Sequence, residues 1–200
     1  MDQKTVDVYN KWATQYDEET TDFWQMFPSK MIPEFVRLCP TNGFVLDIGC
    51  GPGRDAVLLR EAGLRLMCID AATSMVEFVK LKGFEAVEAD LLQLPFHDAT
   101  FDGVWAYTSL LHVPKADFPI ALNEALRVLK PSGVIALGLI EGTFEGYRTS
   151  KAILQERYFT EYTMDEVVSA LETQGCEVVF QEYMQPGKRR YLHVIAKKKN

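Results

Sequence analysis

Apolar and polar positions alternate along this chain in two periods, and their order predicts an α/β architecture. Short apolar runs at Val45–Ile48, Leu64–Ile69, Phe101–Tyr107 and Val134–Ile140 have the length and branching of buried strands, with a shorter third run at Gly83–Val87. Between them lie stretches with helical spacing: 54–62, 73–82 and Asp117–Lys130. Strand and helix in alternation read as a parallel, doubly wound sheet. The first 38 residues are helical in two pieces. Val6–Asp17 places Val8, Tyr9, Trp12, Ala13 and Tyr16 on one face, and a second piece from Asp22 carries Phe23, Met26, Phe27, Met31, Phe35 and Leu38 around Pro28. Thr163-x-x-Glu166 caps another helix, which ends at Gly175. Cys176–Glu182 and Arg190–Ala196 form a hairpin across Met184-Gln185-Pro186-Gly187. Glu141–Tyr158 gives no clean period and is expected as a substrate-side insert.

The most informative stretch is Val45-Leu46-Asp47-Ile48-Gly49-Cys50-Gly51-Pro52-Gly53. A buried strand ends in an acid and three alternate glycines, and a helix starts at Arg54. Such a turn brings backbone N–H groups against a ligand at the strand's carboxyl end. A dinucleotide fingerprint would need glycine at position 54, where Arg54 stands. Asp47 also repels a pyrophosphate and attracts a cation. Asp70 closes the second strand 21 positions after Gly49, where an acid can accept from ribose hydroxyls. Thr73 and Ser74, the latter in a Ser74-x-x-Glu77 capping box, are expected to cap the following helix and leave Asp70 for that role.

The pattern D-x-G-x-G-x-G at 47–53 resembles the first motif of class I S-adenosylmethionine-dependent methyltransferases, in their small-molecule branch. Further matches are Tyr9-x-x-x-Ala13-x-x-Tyr16-Asp17, Leu94-Pro95-Phe96-His97-Asp98-x-x-Phe101-Asp102 and Arg127-Val128-Leu129-Lys130-Pro131-Ser132-Gly133, with Ser132 in place of a glycine. The resemblance covers roughly residues 9–197. It implies a three-layer αβα sandwich on a mostly parallel, seven-stranded doubly wound sheet with a C-terminal antiparallel strand. It also implies one domain over 1–200: a helical cap at 1–40, a cofactor-binding core at 41–140, and a substrate-side insert with the C-terminal hairpin at 141–200. S-adenosyl-L-methionine would be the cofactor and S-adenosyl-L-homocysteine the product. Asp47 with Gly49, Cys50, Gly51, Gly53 and Arg54 would hold the methionine end. Asp70 and Ala71 would hold the ribose, Met75, Asp90 and Leu91 the adenine region, and Tyr16 would close over the cofactor. Ala106 and Tyr107 would border the methionine moiety. Tyr9 or Trp12 would wall the active site, His112 would serve as the base for a hydroxyl or carboxyl acceptor, and Tyr107 and Arg148 would contact the substrate. Arg157 is a second candidate clamp for a carboxylate or phosphate. The alternatives are a non-catalytic S-adenosylmethionine-binding protein, a quinone-ring or RNA methyltransferase, or a nicotinamide-dependent oxidoreductase, which Asp47 and Arg54 oppose.

Composition narrows this picture. The net charge is −7, although six Lys or Arg crowd into 188–200, so the remaining surface is acidic and disfavours nucleic acid. Cys39, Cys50, Cys68 and Cys176 lack a C-x-x-C pair and read as buried thiols of a reducing compartment. With no apolar leader or span and no metal-ligand cluster, the expectation is a cytoplasmic protein without a metal or membrane contact, acting on a small molecule as a monomer or homodimer.

Overall fold

A computed structural model describes residues 1–25, 30–149 and 153–200. Helix α1 (Gln3–Gln25) and α2 (Met31–Leu38) precede β1 (Phe44–Ile48), α3 (Arg54–Glu61), β2 (Arg65–Asp70), α4 (Thr73–Leu81) and β3 (Glu85–Glu88). The chain then crosses to β4 (Phe101–Tyr107), α5 (Phe118–Val128) and β5 (Leu129–Ile140). A small antiparallel pair follows, β6 (Glu145–Arg148) with β7 (Arg157–Thr160), before α6 (Met164–Thr173), β8 (Cys176–Met184) and β9 (Tyr191–Lys198).

The main sheet has seven strands in the order β3-β2-β1-β4-β5-β9-β8. The pairs from β3 to β5 are parallel, and β9 runs antiparallel to both β5 and β8. Chain order reverses between β1 and β4. Right-handed crossovers put α3 and α4 on one face and α5 on the other, so the three-layer, doubly wound expectation holds. The reversal opens a crevice beyond the carboxyl ends of β1 and β4, where open α/β sheets bind ligands. Burial explains the uninterrupted apolar runs: Val45, Leu46, Val104, Trp105, Ile135 and Leu137 are all fully enclosed.

Three local expectations need correction. The helix break after Asp17 is absent. Nothing between residues 3 and 25 is Gly or Pro, so α1 runs through and bends instead at Trp12, which leaves helical geometry (φ −115°, ψ 21°). Met26, Phe27 and Pro28 lie outside the described residues. The Ser74–Glu77 capping box does not form either. The Ser74 backbone N–H donates to Asn10 Oδ1 (3.0 Å) and its hydroxyl to the Asn10 carbonyl (3.0 Å), so α1 caps α4 from outside. Finally, the 141–158 insert is partly ordered into β6 and the start of β7; its outward-facing residues mix charges and aromatics, which hid the period of two. The capping box at Thr163 and Glu166 is present. Among the described residues no helix is long and apolar enough to cross a membrane.

One register row ties the second half of the sheet together. Tyr107, Gly138, His193 and Glu182 stand side by side on β4, β5, β9 and β8. Because Gly138 has no side chain, the Tyr107 ring lies across it, and its hydroxyl reaches His193 Nε2 at 2.7 Å. A Cβ on Gly138 would sit 2.3 Å from Tyr107 Cδ2. Gly138→Ala is therefore expected to destabilise by about 1–3 kcal/mol through overpacking in urea denaturation. An unchanged midpoint would contradict the close approach.

Candidate active site

The turn after β1 folds as its glycines require. Gly49, Gly51 and Gly53 all adopt positive φ (68°, 51° and 80°). Gly49 has a second reason to lack a side chain, since a Cβ there would lie 2.2 Å from Ser109 Cβ. Its N–H and that of Cys50 donate to the Ile69 carbonyl at 2.8 and 2.9 Å, which pins the turn against the tip of β2. The turn delivers the first residues of α3 to the floor of a cleft.

Most of the residues picked out by sequence meet in that cleft. Asp47, Gly49, Cys50, Gly51 and Arg54 line it from the glycine turn. Asp70, Ala71, Met75 and Leu91 line it from the β2 and β3 side, Tyr107 from the end of β4, His112 from the segment after it, and Tyr9 and Tyr16 from α1. Gly53, Asp90, Ala106, Trp12 and Arg148 stand outside this wall. Ala106 is enclosed within β4. The Asp90 carboxylate is half exposed and accepts from the Met1 ammonium (2.9 Å) and the Leu92 N–H (2.9 Å). Arg148 pairs with Glu161 on the β6–β7 sheet.

The cleft's electrostatics come from buried carboxylates. Asp47 Oδ2 and Asp55 Oδ1 are both shut off from solvent without a hydrogen-bond partner among the described residues. Burial, with smaller contributions from Cys68, Asp55 and Asp70, pushes the Asp47 carboxyl well above its usual range. Burial also raises Asp55 to about 6, although its Oδ2 accepts from the Trp105 indole N–H at 2.8 Å. Asp70 rises to about 6 for the same reason, against the pull of the Gly51 and Ala72 N–H groups, which donate to it at 2.9 Å each. Asp70 thus fixes the turn and the entry to α4 while it faces the cleft. Arg54 ties α3 to α1: it pairs with Asp17 (2.7 Å) and donates to Thr20 Oγ1 (2.6 Å).

His112 is held on both sides. Its Nδ1–H donates to the Tyr158 carbonyl (2.6 Å), so Nε2 accepts from the Tyr9 hydroxyl (2.8 Å). Tyr9 in turn accepts from Arg157 Nη1 (2.6 Å). Burial, with the nearby Arg157 charge, takes the imidazole down to about 3. It is neutral at physiological pH and its acceptor lone pair is engaged, which suits a positioning residue better than a base. The Tyr107 hydroxyl is likewise committed to His193, whose Nδ1 faces Glu182 Oε1 at 3.2 Å.

The sequence reading missed Asp55, Thr108 and Ser109, which also line the cleft. Asp55 carried a signal, as a lone acid beside the apolar Ala56–Leu59 run in the first turn of a helix. Thr108 did not: its positive φ of 54°, uncommon for a β-branched residue, is visible only in the structure. His193, a polar residue inside an apolar strand, could have been flagged. Tyr9→Phe removes the hydroxyl shared by Arg157 Nη1 and His112 Nε2 and with it both of these hydrogen bonds. It is expected to cost about 1–3 kcal/mol of stability by chemical denaturation; an unchanged stability would show that the bridge is dispensable.

Comparison with known proteins agrees with this geometry. A family profile described as "Methyltransferase domain" matches residues 46–137, the segment from β1 to the middle of β5. The 27-O-demethylrifamycin SV methyltransferase of Amycolatopsis mediterranei is 37% identical over 103 residues, which cover 47% of this chain and 37% of that protein. The tRNA (carboxymethyluridine(34)-5-O)-methyltransferase ALKBH8 of Mus musculus is 27% identical over 177 residues, 87% of this chain and 26% of its own length. The chain spans half the length or less of the curated relatives it matches first. The crystal structure of Burkholderia thailandensis 1,6-didemethyltoxoflavin-N1-methyltransferase, with 1,6-didemethyltoxoflavin and S-adenosylhomocysteine bound, superposes with a TM-score of 0.73 at 20% identity, covering 100% of this chain and 91% of that one. An acid-tipped first strand, a three-glycine turn beneath a reversed strand order, and the matching profile agree: residues 46–137 match a methyltransferase domain, on the fold of S-adenosylmethionine-dependent methyltransferases.

Proposed function

We propose that this chain binds S-adenosylmethionine in the cleft and transfers its methyl group to a small-molecule acceptor. The observation that carries the reading is the pair of buried, unpartnered carboxylate oxygens on Asp47 and Asp55. Charged oxygens left dry without a donor are costly, and a cation bearing N–H groups removes that cost. S-adenosylmethionine offers such an ammonium group and carries no phosphate for the acids to repel. Asp70 is placed to accept from ribose hydroxyls, and Leu91 and Met75 to pack against the base.

Bound there, S-adenosylmethionine supplies a methyl group on a sulfonium that an acceptor nucleophile displaces in line. The chain's contribution is then to hold and orient, worth on the order of 7–11 kcal/mol when geometry is good. Asp47 and Asp55 fix the amino-acid end, and Asp70 fixes the sugar. Tyr9 and Tyr16, which contact each other edge to face (5.3 Å between centroids), close α1 over the cleft and exclude water. With His112 neutral and hydrogen-bonded, an acceptor that is already nucleophilic, such as a carboxylate, phenolate or free amine, suits the site best. RNA methylation is a second reading, favoured by the likeness to the tRNA-modifying relative. The net charge of −7 opposes it, because RNA binding rests on phosphate neutralisation.

Calorimetry is expected to detect S-adenosylmethionine and S-adenosylhomocysteine binding and no NADH binding; the reverse preference would overturn the reading. Release of S-adenosylhomocysteine with small acids, phenols or amines, and not with tRNA, separates the small-molecule enzyme from a binding protein and from an RNA methyltransferase. Asp55→Asn keeps an acceptor for the Trp105 indole but removes the charge. It should weaken S-adenosylhomocysteine by about 1.5–3 kcal/mol, roughly ten- to a hundredfold, while methylthioadenosine, which lacks the ammonium group, binds as before. Equal losses for both ligands would place Asp55 elsewhere.

The pH dependence has a fixed sign. Burial raises Asp55 and Asp70 to about 6, and only their ionised forms attract the cation. Cofactor affinity should therefore fall as pH drops through 6, by up to about tenfold per unit for each of these two groups. Affinity that rises on acidification would contradict the assignment of these carboxylates.

A further inference from the structure

Behind the Tyr9–His112 wall, three arginines gather on one aromatic ring. The guanidinium carbons of Arg148, Arg157 and Arg189 lie 4.6, 5.1 and 6.0 Å from the centroid of Phe159. Phe159 itself packs on His112, with 4.8 Å between ring centroids, so this cluster stands one layer from the reacting end of the cleft. Two of the three arginines come from the insert and its pairing strand, and Arg189 comes from the turn before β9. Glu161 is the carboxylate that faces them among the described residues, and it is already paired with Arg148 through Nη1.

That pairing leaves one edge of Arg148 unused. Its Nε and Nη2 are enclosed and have no hydrogen-bond partner among the described residues. These two atoms form the side-on fork of a guanidinium, whose parallel N–H groups match the two oxygens of a carboxylate. Phe144 (4.9 Å) and Phe159 (4.6 Å) stack against the same guanidinium, which favours a flat group lying in its plane over a tetrahedral one. Arg189 is half-buried beside it. Burial, with the neighbouring positive charge of Arg148, holds its guanidinium below the usual range, as expected where like charges crowd without enough counter-charge. The unpaired bidentate edge of Arg148 beside the half-buried Arg189, in an aromatic lining, has the chemistry of an anion subsite.

We propose that the methyl acceptor carries a carboxylate that is anchored by the free edge of Arg148 together with Arg189, one layer away from the atom that receives the methyl group. This rests on the methyltransferase reading and adds the chemical class of its substrate. It also accounts for the insert. The β6–β7 pair brings Arg148 and Arg157 into register opposite each other and is tied to α1, where Tyr158 N–H donates to Thr5 Oγ1 at 2.8 Å.

The test uses the full chain saturated with S-adenosylhomocysteine and titrates it with benzoate, benzamide and inorganic phosphate. Benzoate is expected to bind at least about tenfold more tightly than benzamide or phosphate. Arg148→Lys keeps a positive partner for Glu161 but removes the fork, and Arg189→Gln removes one charge from a half-buried position. Each should weaken benzoate by about fivefold or more while S-adenosylhomocysteine affinity stays within about twofold. Benzoate that binds no better than benzamide, or that is insensitive to both substitutions, overturns the proposal; preferential binding of phosphate also does. Failure of S-adenosylhomocysteine itself to bind is a different result: it removes the methyltransferase reading, and this inference with it.

Discussion

Buried negative charge without a built-in partner is the constraint around which this protein is arranged. Asp47 and Asp55 sit eight positions apart, one next to the end of a buried strand and one in the first turn of the next helix. Each keeps an oxygen dry and unpaired. A fold tolerates this at a cost of several kcal/mol per isolated charge, or by protonating the group. Burial raises Asp55 and Asp70 to about 6 and pushes Asp47 well above the usual carboxylate range, which makes the ionised forms costly to hold. A cationic ligand offsets that cost, so the energy stored in desolvation reappears as affinity and selectivity for positive charge.

Everything around the acids keeps them dry and fixed. The glycine turn is clamped to β2 by the Ile69 carbonyl and to Asp70 by the Gly51 N–H. Trp105 fixes the rotation of Asp55 from below. From above, α1 is tied down at several points along its length: Asn10 to the start of α4, Asp17 and Thr20 to Arg54, and Tyr9 to His112 and Arg157. The cap and the β6–β7 pair therefore share one network, and a change at the acceptor side is felt at the lid. The second row of polar groups, Tyr107–His193–Glu182, braces the floor in the same way across four strands.

How much of this was legible in the sequence follows from the range of each interaction. The apolar runs and the D-x-G-x-G-x-G turn are local patterns, and they placed the sheet, the switch point and the residues of the glycine turn. Asp70 was found by spacing, although its helix-capping contact was misjudged, because Asn10 reaches Ser74 from 64 positions away. His112 looked like a base from its neutral-range chemistry. Only the structure reveals that Tyr9 and the Tyr158 carbonyl take up both nitrogens. Arg148 illustrates the same limit: sequence suggested a carboxylate clamp, while its pairing with Glu161 and its position behind the wall depend on the β6–β7 register.

The central claim is that the carboxylates of β1, α3 and β2 recognise a cationic adenosyl cofactor. A crystal structure grown with S-adenosylhomocysteine tests it most directly. The account predicts the ligand's ammonium group within hydrogen-bonding distance of Asp47 Oδ2 or Asp55 Oδ1, with both ribose hydroxyls on Asp70. An ammonium group turned to solvent while both aspartates stay unpartnered, or a ligand bound outside this cleft, would contradict it.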